Sequence, residues 1–341
     1  MIAIAIWRLF NYTIYNFCKF IDIKKELRAT LKERYLWGDK PYYSLNYYLK
    51  EQYGRRIFKI SLNGRMTCPN RDGSLATGGC IFCSKGGSGD FAADANLSIT
   101  NQIESQIASM KKQTTEETKY IAYFQAYTNT YGELSYLRKI FYEAILHPSV
   151  AILSIATRPD CLDPKIIVLL QELNEIKPVW IELGLQTIHD ETAAFIRRGY
   201  ELSCFDKAVE GLSKHGITTI VHVILGLPGE SKKEILQTIE YLNQKPIQGI
   251  KLQLLHILKD TELANYIDSI PVYSLEEYAN LLVSCINVLR PDIVIHRITG
   301  DGPKDLLISP KWSGDKKKVL NYIHKTLKEQ QAWQGKLYME V

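Results

Sequence analysis

The sequence contains no long apolar run, and this absence argues against a membrane-spanning protein. The apolar stretch at residues 1–7 is too short to cross a bilayer, and no small-residue cleavage site follows it. We therefore expect neither a membrane span nor a signal peptide. Internal repeats and low-complexity linkers are also lacking, and 341 residues are enough for one large domain or two ordinary ones.

The sequence also has no large excess of positive or negative residues. Lysine and arginine number 42 against 37 acidic residues, which leaves a net charge of +5. Such a small excess permits an anionic partner without requiring one. The seven cysteines are an odd number in a long chain, so the sequence does not have the paired cysteines of a small secreted domain. This cysteine usage favours the reducing cytoplasm.

Three of the cysteines lie close together without a fourth nearby. Cys68, Cys80 and Cys83 have the spacing C-x11-C-x2-C. A structural zinc site uses four ligands in a closed tetrahedron, and a [4Fe-4S] cluster normally takes four thiolates. Three thiolates would leave one iron open to bind and activate another molecule. The alternative is a zinc site completed by a distant ligand such as a histidine, although the chain has only one C-x2-C pair.

Apolar, β-branched runs alternate with helical patterns through the middle of the chain. Strands are predicted at residues 57–62, 120–125, 150–157, 179–185, 219–225 and 250–257, with a further run at 292–298. Helices are predicted between them at residues 100–112, 132–147, 164–174, 203–214 and 231–243, and near the end at 315–331. This alternation predicts a parallel sheet with crossover helices.

Six strand–helix units are too few for a closed eight-unit barrel. We therefore predict an α/β fold, a partial (β/α)6 TIM-type barrel, at residues 42–300. An N-terminal extension at residues 1–41 and a C-terminal helical tail at 301–341 would flank it.

Several motifs are predicted to lie where strands end. They follow the first five predicted strands in turn: the cysteine loop, then residues 125–131, 158–160, 186–187 and 226–230. In barrels of this kind the catalytic residues lie at the carboxyl ends of the strands. The placement therefore predicts one site shared by all five motifs.

The tetrapeptide Cys80-Ile81-Phe82-Cys83 resembles the second half of the signature of the radical S-adenosylmethionine (SAM) superfamily. The first gap of that signature is usually shorter than the eleven residues found here. The longer gap resembles the YhcC/YtqA-like family, which is related to the catalytic subunit of elongator and to oxygen-independent coproporphyrinogen oxidase. The resemblance extends over about residues 42–312 and includes the runs at 87–92, 157–161, 182–187, 226–230 and 297–303.

The resemblance implies two cofactors, a [4Fe-4S] cluster on the three cysteines and SAM at the open iron. It also implies that Phe82 contacts the adenine, with packing behind the cluster as the alternative. Gln125 occupies the place of the contact to the SAM amino group, although the Gly-Gly-Glu motif usual there is absent. Gly226 and Pro228 resemble the turn that flanks the adenine.

Glu182 and Gln186 lie four residues apart on one predicted strand, so their side chains share a face. A carboxylate within an apolar strand is costly to bury unpaired. Facing the barrel lumen, Glu182 could bind the ribose or the ammonium group of SAM. The alternative is a structural ion pair with an arginine such as Arg158.

Arg158 and Cys161 follow the third predicted strand and are candidate catalytic residues. Cys161 could donate a hydrogen atom or form a covalent adduct, or it could be a small buried residue.

Tyr200 stands where many relatives have a histidine, which could alter substrate contacts. Histidines in apolar strands are more often core residues than catalysts, and this chain has three of them: His222, His256 and His296.

The resemblance implies radical SAM catalysis. An electron from a flavodoxin-like or ferredoxin-like donor would cleave SAM to methionine and a 5′-deoxyadenosyl radical, which abstracts hydrogen from an unactivated C–H bond. The implied substrate is the 5-carboxymethylaminomethyl group of a tRNA wobble uridine, with lysines 316–318 of the tail contacting phosphate or forming a solvated helix face. The alternatives are a small, porphyrinogen-like substrate and a non-catalytic iron–sulfur or zinc-binding protein.

Overall fold

A parallel sheet forms the centre of the protein. The computed structural model describes residues 35–340 except 88, 111–113, 116 and 301. The strands are β1 (Ile57–Leu62), β2 (Lys119–Phe124), β3 (Val150–Thr157), β4 (Val179–Gln186), β5 (Thr218–Leu225), β6 (Gly249–Leu254), β7 (Ile257–Leu258), β8 (Val294–Arg297) and β9 (Leu307–Ser309). Seven of them pair in parallel in the order β1-β2-β3-β4-β5-β6-β8, and β7 pairs with β9 in an antiparallel ribbon.

The order of the strands in the sheet follows their order along the chain, as β-α-β crossovers of one hand produce. The predicted partial barrel is therefore confirmed, with β8 as a seventh strand. The edge of β8 is covered by the segment before the first described helix. There the amide of Ile295 donates to the carbonyl of Tyr43 at 2.7 Å, and Ser44 forms a parallel bridge with Ile295.

Helices cover the outer face of the sheet. They are α1 (Leu45–Tyr53), α2 (Ile99–Ser109), α3 (Leu134–Leu146), α4 (Pro164–Asn174), α5 (Asp190–Phe195), α6 (Leu202–Lys214), α7 (Lys232–Asn243), α8 (Leu275–Val288) and α9 (Lys316–Glu329). The six predicted helices correspond to α2, α3, α4, α6, α7 and α9. The sequence reasoning missed α1, α5 and α8. In α8 a signal was present, since Ser274 and Glu277 form a capping box at its start.

The amino-terminal end of the barrel lumen is closed by an apolar plug. Its members are Ile57, Ile121, Ile152, Trp180 and Ile220 from the first five strands, together with Leu49 of α1. Because side chains two residues apart on a strand share a face, the next lumen positions lie directly above this plug. The open end of the lumen is therefore at the carboxyl ends of the strands.

The C-terminal segment packs against the barrel. Val319, Ile323 and Leu327 of α9 are fully buried in the main hydrophobic core. Gln334 accepts from the amide of Tyr43 at 2.9 Å and donates to the carbonyl of Arg290 at 2.8 Å. Residues 1–34 of the predicted N-terminal extension lie outside the described residues. Within the described part of the chain, no helix is both long and apolar enough to cross a membrane.

Candidate functional site

A cavity of about 260 Å³ opens at the carboxyl ends of the strands. It is where the sequence places the motifs that follow β1 to β4. The predicted site residues in its wall are Cys68, Cys80, Phe82, Cys83, Gln125, Arg158, Glu182 and Gln186. Cys161, Gly226 and Pro228 do not line it. The structure thus brings together most, but not all, of the predicted site.

Asn70 anchors the cysteine loop to the opposite side of the cavity. Its side-chain amide donates to the carbonyls of Arg197 at 2.8 Å and Arg198 at 3.2 Å, and lies 3.6 Å from the sulfur of Cys80. A Cβ atom at Gly199 would lie 2.5 Å from the side-chain oxygen of Asn70, so only glycine at this position leaves room for the Asn70 side chain. The loop conformation is therefore fixed by residues far along the chain.

The three thiols form part of one cavity wall. Burial, and then the neighbouring Cys83, raise the pKa of the Cys80 thiol to about 12, while Arg158 opposes this shift. A free thiolate is thus disfavoured there unless a metal compensates its charge. Among the described residues, no three histidine, cysteine or acidic side chains are placed to hold a single metal ion. Three thiols in the wall of one cavity provide three of the four ligands that a [4Fe-4S] cluster takes, so the residues present fit that group.

Gln186 ends β4 with a left-handed backbone conformation, at a φ of 69°. The residue lines the cavity, and its side-chain oxygen is buried and accepts no hydrogen bond from the protein. A buried acceptor without a donor is costly, so this oxygen is suited to a ligand that brings hydroxyl or ammonium donors. SAM carries both, and the residues present fit it.

Phe82 packs against apolar side chains and also lines the cavity, and its contact with the adenine stays a prediction. Its ring is partly buried against an apolar cluster that includes Ile81, Ile196 and Leu255, and it also borders the cavity. Gln125 lies at the end of β2, where its amide donates to the carbonyl of Leu62 at 3.2 Å. Both positions face the space in which a cofactor would lie.

A charged layer crosses the lumen between the apolar plug and the cysteines. We call it the lumen layer, and it consists of Lys59, Tyr123, Ser154, Glu182, His222, Lys251 and Arg297, one from each strand of the main sheet. Glu182 Oε1 accepts from Lys59 at 2.8 Å and from Ser154 at 2.9 Å. Its Oε2 accepts from His222 Nε2 at 2.8 Å and also contacts the ammonium of Lys251.

These four partners fill the acceptor positions of the Glu182 carboxylate. Burial alone would raise the pKa of Glu182, but the charges of Lys251 and Lys59 outweigh it and hold that pKa well below its usual value. The alternative pairing with Arg158 is wrong, because Arg158 is bound elsewhere. The contact between Glu182 and SAM stays a prediction, and in this structure Glu182 holds two lysines.

Two ammonium groups compete for this one carboxylate. Burial lowers the pKa of Lys251 to about 7, with Glu182 opposing the shift and Lys59 and Arg297 adding to it. Burial and the charge of Lys251 also lower the pKa of His222 to about 4, so its imidazole is neutral at pH 7. Glu182, His222 and Lys251 therefore influence one another's protonation at close range.

Arg158 forms a two-point ion pair with Asp160, with contacts of 2.9 and 2.7 Å. Its remaining nitrogen donates to the carbonyl of Arg198 at 2.8 Å, and its guanidinium lies 5.1 Å from the ring centre of Tyr200. Burial opposes the charge of Arg158, but Asp160 outweighs it and raises the pKa of Arg158. Tyr200 also lines the cavity and hydrogen bonds to the carbonyl of Gly184.

The other predicted residues lie beside the cavity. Cys161 is in a short turn where burial, and then Asp160, raise the pKa of its thiol to about 12. A Cβ atom at Gly226 would lie 3.0 Å from the ring of Tyr273, so this glycine permits a close contact with protein rather than with the cavity. Of the three histidines, His222 and His256 line the cavity, whereas His296 packs on Trp180.

Sequence reasoning missed Lys59, Lys251 and Arg297. The signal that identified Glu182, a charged residue inside an apolar strand, is also present at Lys251 in the run Gly249–Leu254. It could have been read in the same way.

Comparison with known proteins agrees with this geometry. The profile of the Radical SAM superfamily matches residues 73–242, and the profile of the Radical_SAM C-terminal domain matches residues 247–329. The chain is 41% identical over 305 residues to YtqA of Bacillus subtilis, covering 89% of this chain and 94% of that protein. It is 35% identical over 267 residues to YhcC of Escherichia coli K12, covering 77% and 85%.

A match over a shorter region and a solved structure add to these matches. The chain is 32% identical over 125 residues to the tRNA uridine(34) acetyltransferase of Methanocaldococcus jannaschii, which covers 36% of this chain and 22% of that protein. Elp3 of Methanocaldococcus infernus has a similar fold, with a TM-score of 0.63 at 17% identity over 82% of this chain and 64% of that one.

The fold and the cysteine-lined cavity are those of a radical SAM enzyme. The chain belongs to the YhcC/YtqA-like family of that superfamily, whose cofactors are a [4Fe-4S] cluster and SAM.

Proposed function

We propose that Cys68, Cys80 and Cys83 hold the cluster and that the enzyme modifies the side chain of a tRNA wobble uridine. The observation that supports the site is the position of the three thiols in the wall of one cavity, which is also lined by Gln186 with its unsatisfied side-chain oxygen. When bound, the cluster supplies the electron that cleaves SAM reductively.

The residues of the chain hold, orient and shield the reactants. The Asn70 amide lies 3.6 Å from the Cys80 sulfur, a contact of the kind that adjusts the potential of a cluster. Gln186 accepts a hydrogen bond from SAM, with Phe82 and Gln125 beside it. Arg158 and Tyr200 line the same cavity and would help to exclude water from the bound cofactors. A flavodoxin or ferredoxin is the proposed electron donor, and the cytoplasm the proposed location.

The basic C-terminal segment supports tRNA as the substrate. Lys316, Lys317 and Lys318 are exposed in the first turn of α9, and Lys304 is exposed next to Pro303, which lines the cavity. Lys304 is thus close to the cavity, and the exposed lysines of this segment could contact the phosphates of a nucleic acid whose base enters the cavity. The partial relative named for tRNA uridine 34 agrees with this substrate.

Mass analysis of the nucleosides in bulk tRNA tests this proposal. A deletion strain should accumulate the precursor of one wobble nucleoside, and the wild-type gene should restore the product while a Cys80→Ala gene should not. Unchanged nucleosides in the deletion strain and in a double deletion with any paralogue would remove tRNA as the substrate. A small-molecule substrate would then become the leading proposal.

A further inference from the structure

The strand β4 ends in an irregular turn around Gln186. Relative to β5, the strand carries one extra residue, Leu185, between Gly184 and Gln186. The amide of Thr187 then donates to the carbonyl of Leu185 at 2.9 Å, so a hydrogen bond closes around Gln186 alone. With a φ of 69° at its centre, this is a γ-turn of the strained kind. A glutamine keeps such a conformation only where its surroundings enforce it.

Two side chains from the loop after α5 restrain this turn. The phenol of Tyr200 donates to the carbonyl of Gly184. The guanidinium of Arg198 donates to the carbonyl of Thr187 at 2.6 Å and, over a longer distance of 3.4 Å, to that of Leu185. A bulge takes carbonyls out of the regular ladder of the sheet, and these side chains supply donors in its place.

The ring of Tyr200 is itself held in place. The guanidinium groups of Arg158 and Arg198 lie 5.1 and 4.7 Å from its ring centre. Arg198 also donates to the carbonyl of Tyr200 at 3.1 and 3.0 Å, and Arg158 is paired with Asp160. The hydroxyl of Tyr200 is therefore a fixed donor for the end of β4.

The side chain of Gln186 lies against the glycine that Tyr200 binds. A Cβ atom at Gly184 would lie 2.9 Å from Nε2 of Gln186, so the absence of a side chain at Gly184 leaves room for this amide. The other amide atom, Oε1, is the buried oxygen that accepts no hydrogen bond from the protein. The position of the oxygen thus depends on the position of Gly184.

We propose that Tyr200 is a positioning residue of the cofactor site, whose hydroxyl holds the Gly184 carbonyl and so keeps the Gln186 oxygen available to a donor of SAM. This inference rests on the hydrogen bond between Gln186 and SAM in the proposed function. Because a positive φ is unfavourable for glutamine, loss of the restraint lets the turn relax and moves the side chain. Tyr200 acts through the backbone of β4.

A double-mutant cycle on SAM binding tests the proposal with the reconstituted protein. Tyr200→Phe removes the hydroxyl and keeps the ring. We expect it to bind SAM about twofold to fivefold more weakly, because it can lose no more than the one neutral hydrogen bond of Gln186. Gln186→Gly removes the side chain, and glycine adopts a positive φ without strain. In that background Tyr200→Phe should leave SAM affinity unchanged, since no side chain remains to be positioned. Calorimetry measures the affinities.

The matched control is Tyr278→Phe. The hydroxyl of Tyr278 donates to the carbonyl of Ile298 at 3.0 Å in the core, and this tyrosine does not line the cavity. Its loss should lower the midpoint of chemical unfolding about as much as Tyr200→Phe does, without a change in SAM affinity. A merely structural role for Tyr200 would make its effect on SAM affinity independent of Gln186, so the coupling between the two residues is the deciding readout.

Gly184→Ala moves the Gln186 amide without changing Tyr200. The added Cβ meets the flexible end of the Gln186 side chain and no backbone atom closer than 4.0 Å, so the variant should fold. SAM should bind this variant more weakly than the wild type, and Gly184→Ala should have no further effect in the Gln186→Gly background. An unchanged SAM affinity in Gly184→Ala would reject the inference, whether or not Tyr200→Phe folds.

The remaining outcomes separate the inference from the proposed function. If Gln186→Gly weakens SAM binding and Tyr200→Phe does not, Tyr200 is no positioning residue, while the contact between Gln186 and SAM stands. An equal loss from Tyr200→Phe in both backgrounds would show that Tyr200 acts on SAM independently of Gln186, which also overturns the inference. If Gln186→Gly leaves SAM affinity unchanged, the proposed hydrogen bond to SAM fails, and the inference fails with it.

Discussion

Lys59 and Glu182 meet across the barrel lumen at 2.8 Å, although they lie on the first and fourth strands and are 123 residues apart. This contact ties the cysteine-bearing side of the barrel to its centre. Because Glu182 also contacts Lys251, its loss would leave the buried ammonium group of Lys251 and the half-buried one of Lys59 without this counter-charge.

We therefore expect Glu182→Gln to lower the free energy of unfolding by roughly 3 kcal/mol, as the loss of one partner of a buried ion pair does. Chemical denaturation of the protein at pH 7 measures this. The matched control is Glu172→Gln, which removes an exposed pair with Arg138 and should cost less than about 1 kcal/mol. Similar values for the two variants would show that the lumen layer does not depend on its carboxylate.

The seven strands of the main sheet and six of the helices could be predicted because each follows from a local pattern. Apolar β-branched runs such as Val150–Thr157 are typical of strands that are covered on both faces, and their alternation with helices implies a parallel sheet. The C-x11-C-x2-C spacing is local in the same way. The capping box at Ser274 was equally visible and was overlooked.

The lumen layer could not be predicted because it depends on register between distant strands. Lys251 contacts Glu182 only because the register of β4, β5 and β6 brings their polar residues to the same height in the barrel lumen. A single sequence shows that each strand has a polar interruption but not that these residues meet. The position of Gly226 beside Tyr273 depends on a tertiary contact of the same kind.

The cysteines should differ in their effect on iron content. Cys80→Ser should lower the iron retained after anaerobic reconstitution and remove the visible absorbance of an iron–sulfur cluster. Cys204→Ser is the control, since Cys204 lies on α6 and does not line the cavity. Equal iron in both variants would contradict the assignment of Cys80 as a ligand.

Gln186 should affect SAM binding through its side-chain oxygen. Gln186→Met keeps the length of the side chain and removes the acceptor, so we expect SAM to bind about fivefold more weakly, as the loss of one neutral hydrogen bond implies. Gln186→Glu retains an acceptor and should bind SAM more tightly than the methionine variant. Calorimetry with the reconstituted variants measures both SAM affinities. An unchanged affinity in Gln186→Met would contradict the proposed hydrogen bond between Gln186 and SAM.

His222 should make the fold sensitive to acid. Its pKa is lowered to about 4 in the folded protein, so between pH 6.5 and 4 the unfolded chain binds a proton that the folded protein does not. The neutral imidazole contributes fully to the free energy of unfolding above pH 6.5. As the pH decreases from 6.5 to 4, this contribution is lost, by at most about 3 kcal/mol. His222→Gln keeps a donor to Glu182 and should flatten this dependence in denaturation of the apo protein. An identical slope in the variant would assign the acid sensitivity to other groups.

The basic segment should contribute mainly by binding phosphate groups. Replacing Lys316, Lys317 and Lys318 with glutamine should weaken tRNA binding and reduce the slope of log affinity against log salt by roughly 0.7–0.9 for each phosphate that is no longer neutralised. SAM cleavage without tRNA should not change, because these side chains are exposed and away from the cavity wall. A salt slope equal to that of the wild type would show that these lysines do not contact phosphate and form only a solvated helix face.

Formation of 5′-deoxyadenosine tests most directly whether the cysteine-lined cavity cleaves SAM. The anaerobically reconstituted protein, reduced and mixed with SAM, should release 5′-deoxyadenosine and methionine, and the Cys68→Ala, Cys80→Ala and Cys83→Ala variants should not. Tightly bound stoichiometric zinc without iron–sulfide absorbance, together with no 5′-deoxyadenosine from the wild type, would contradict the assignment.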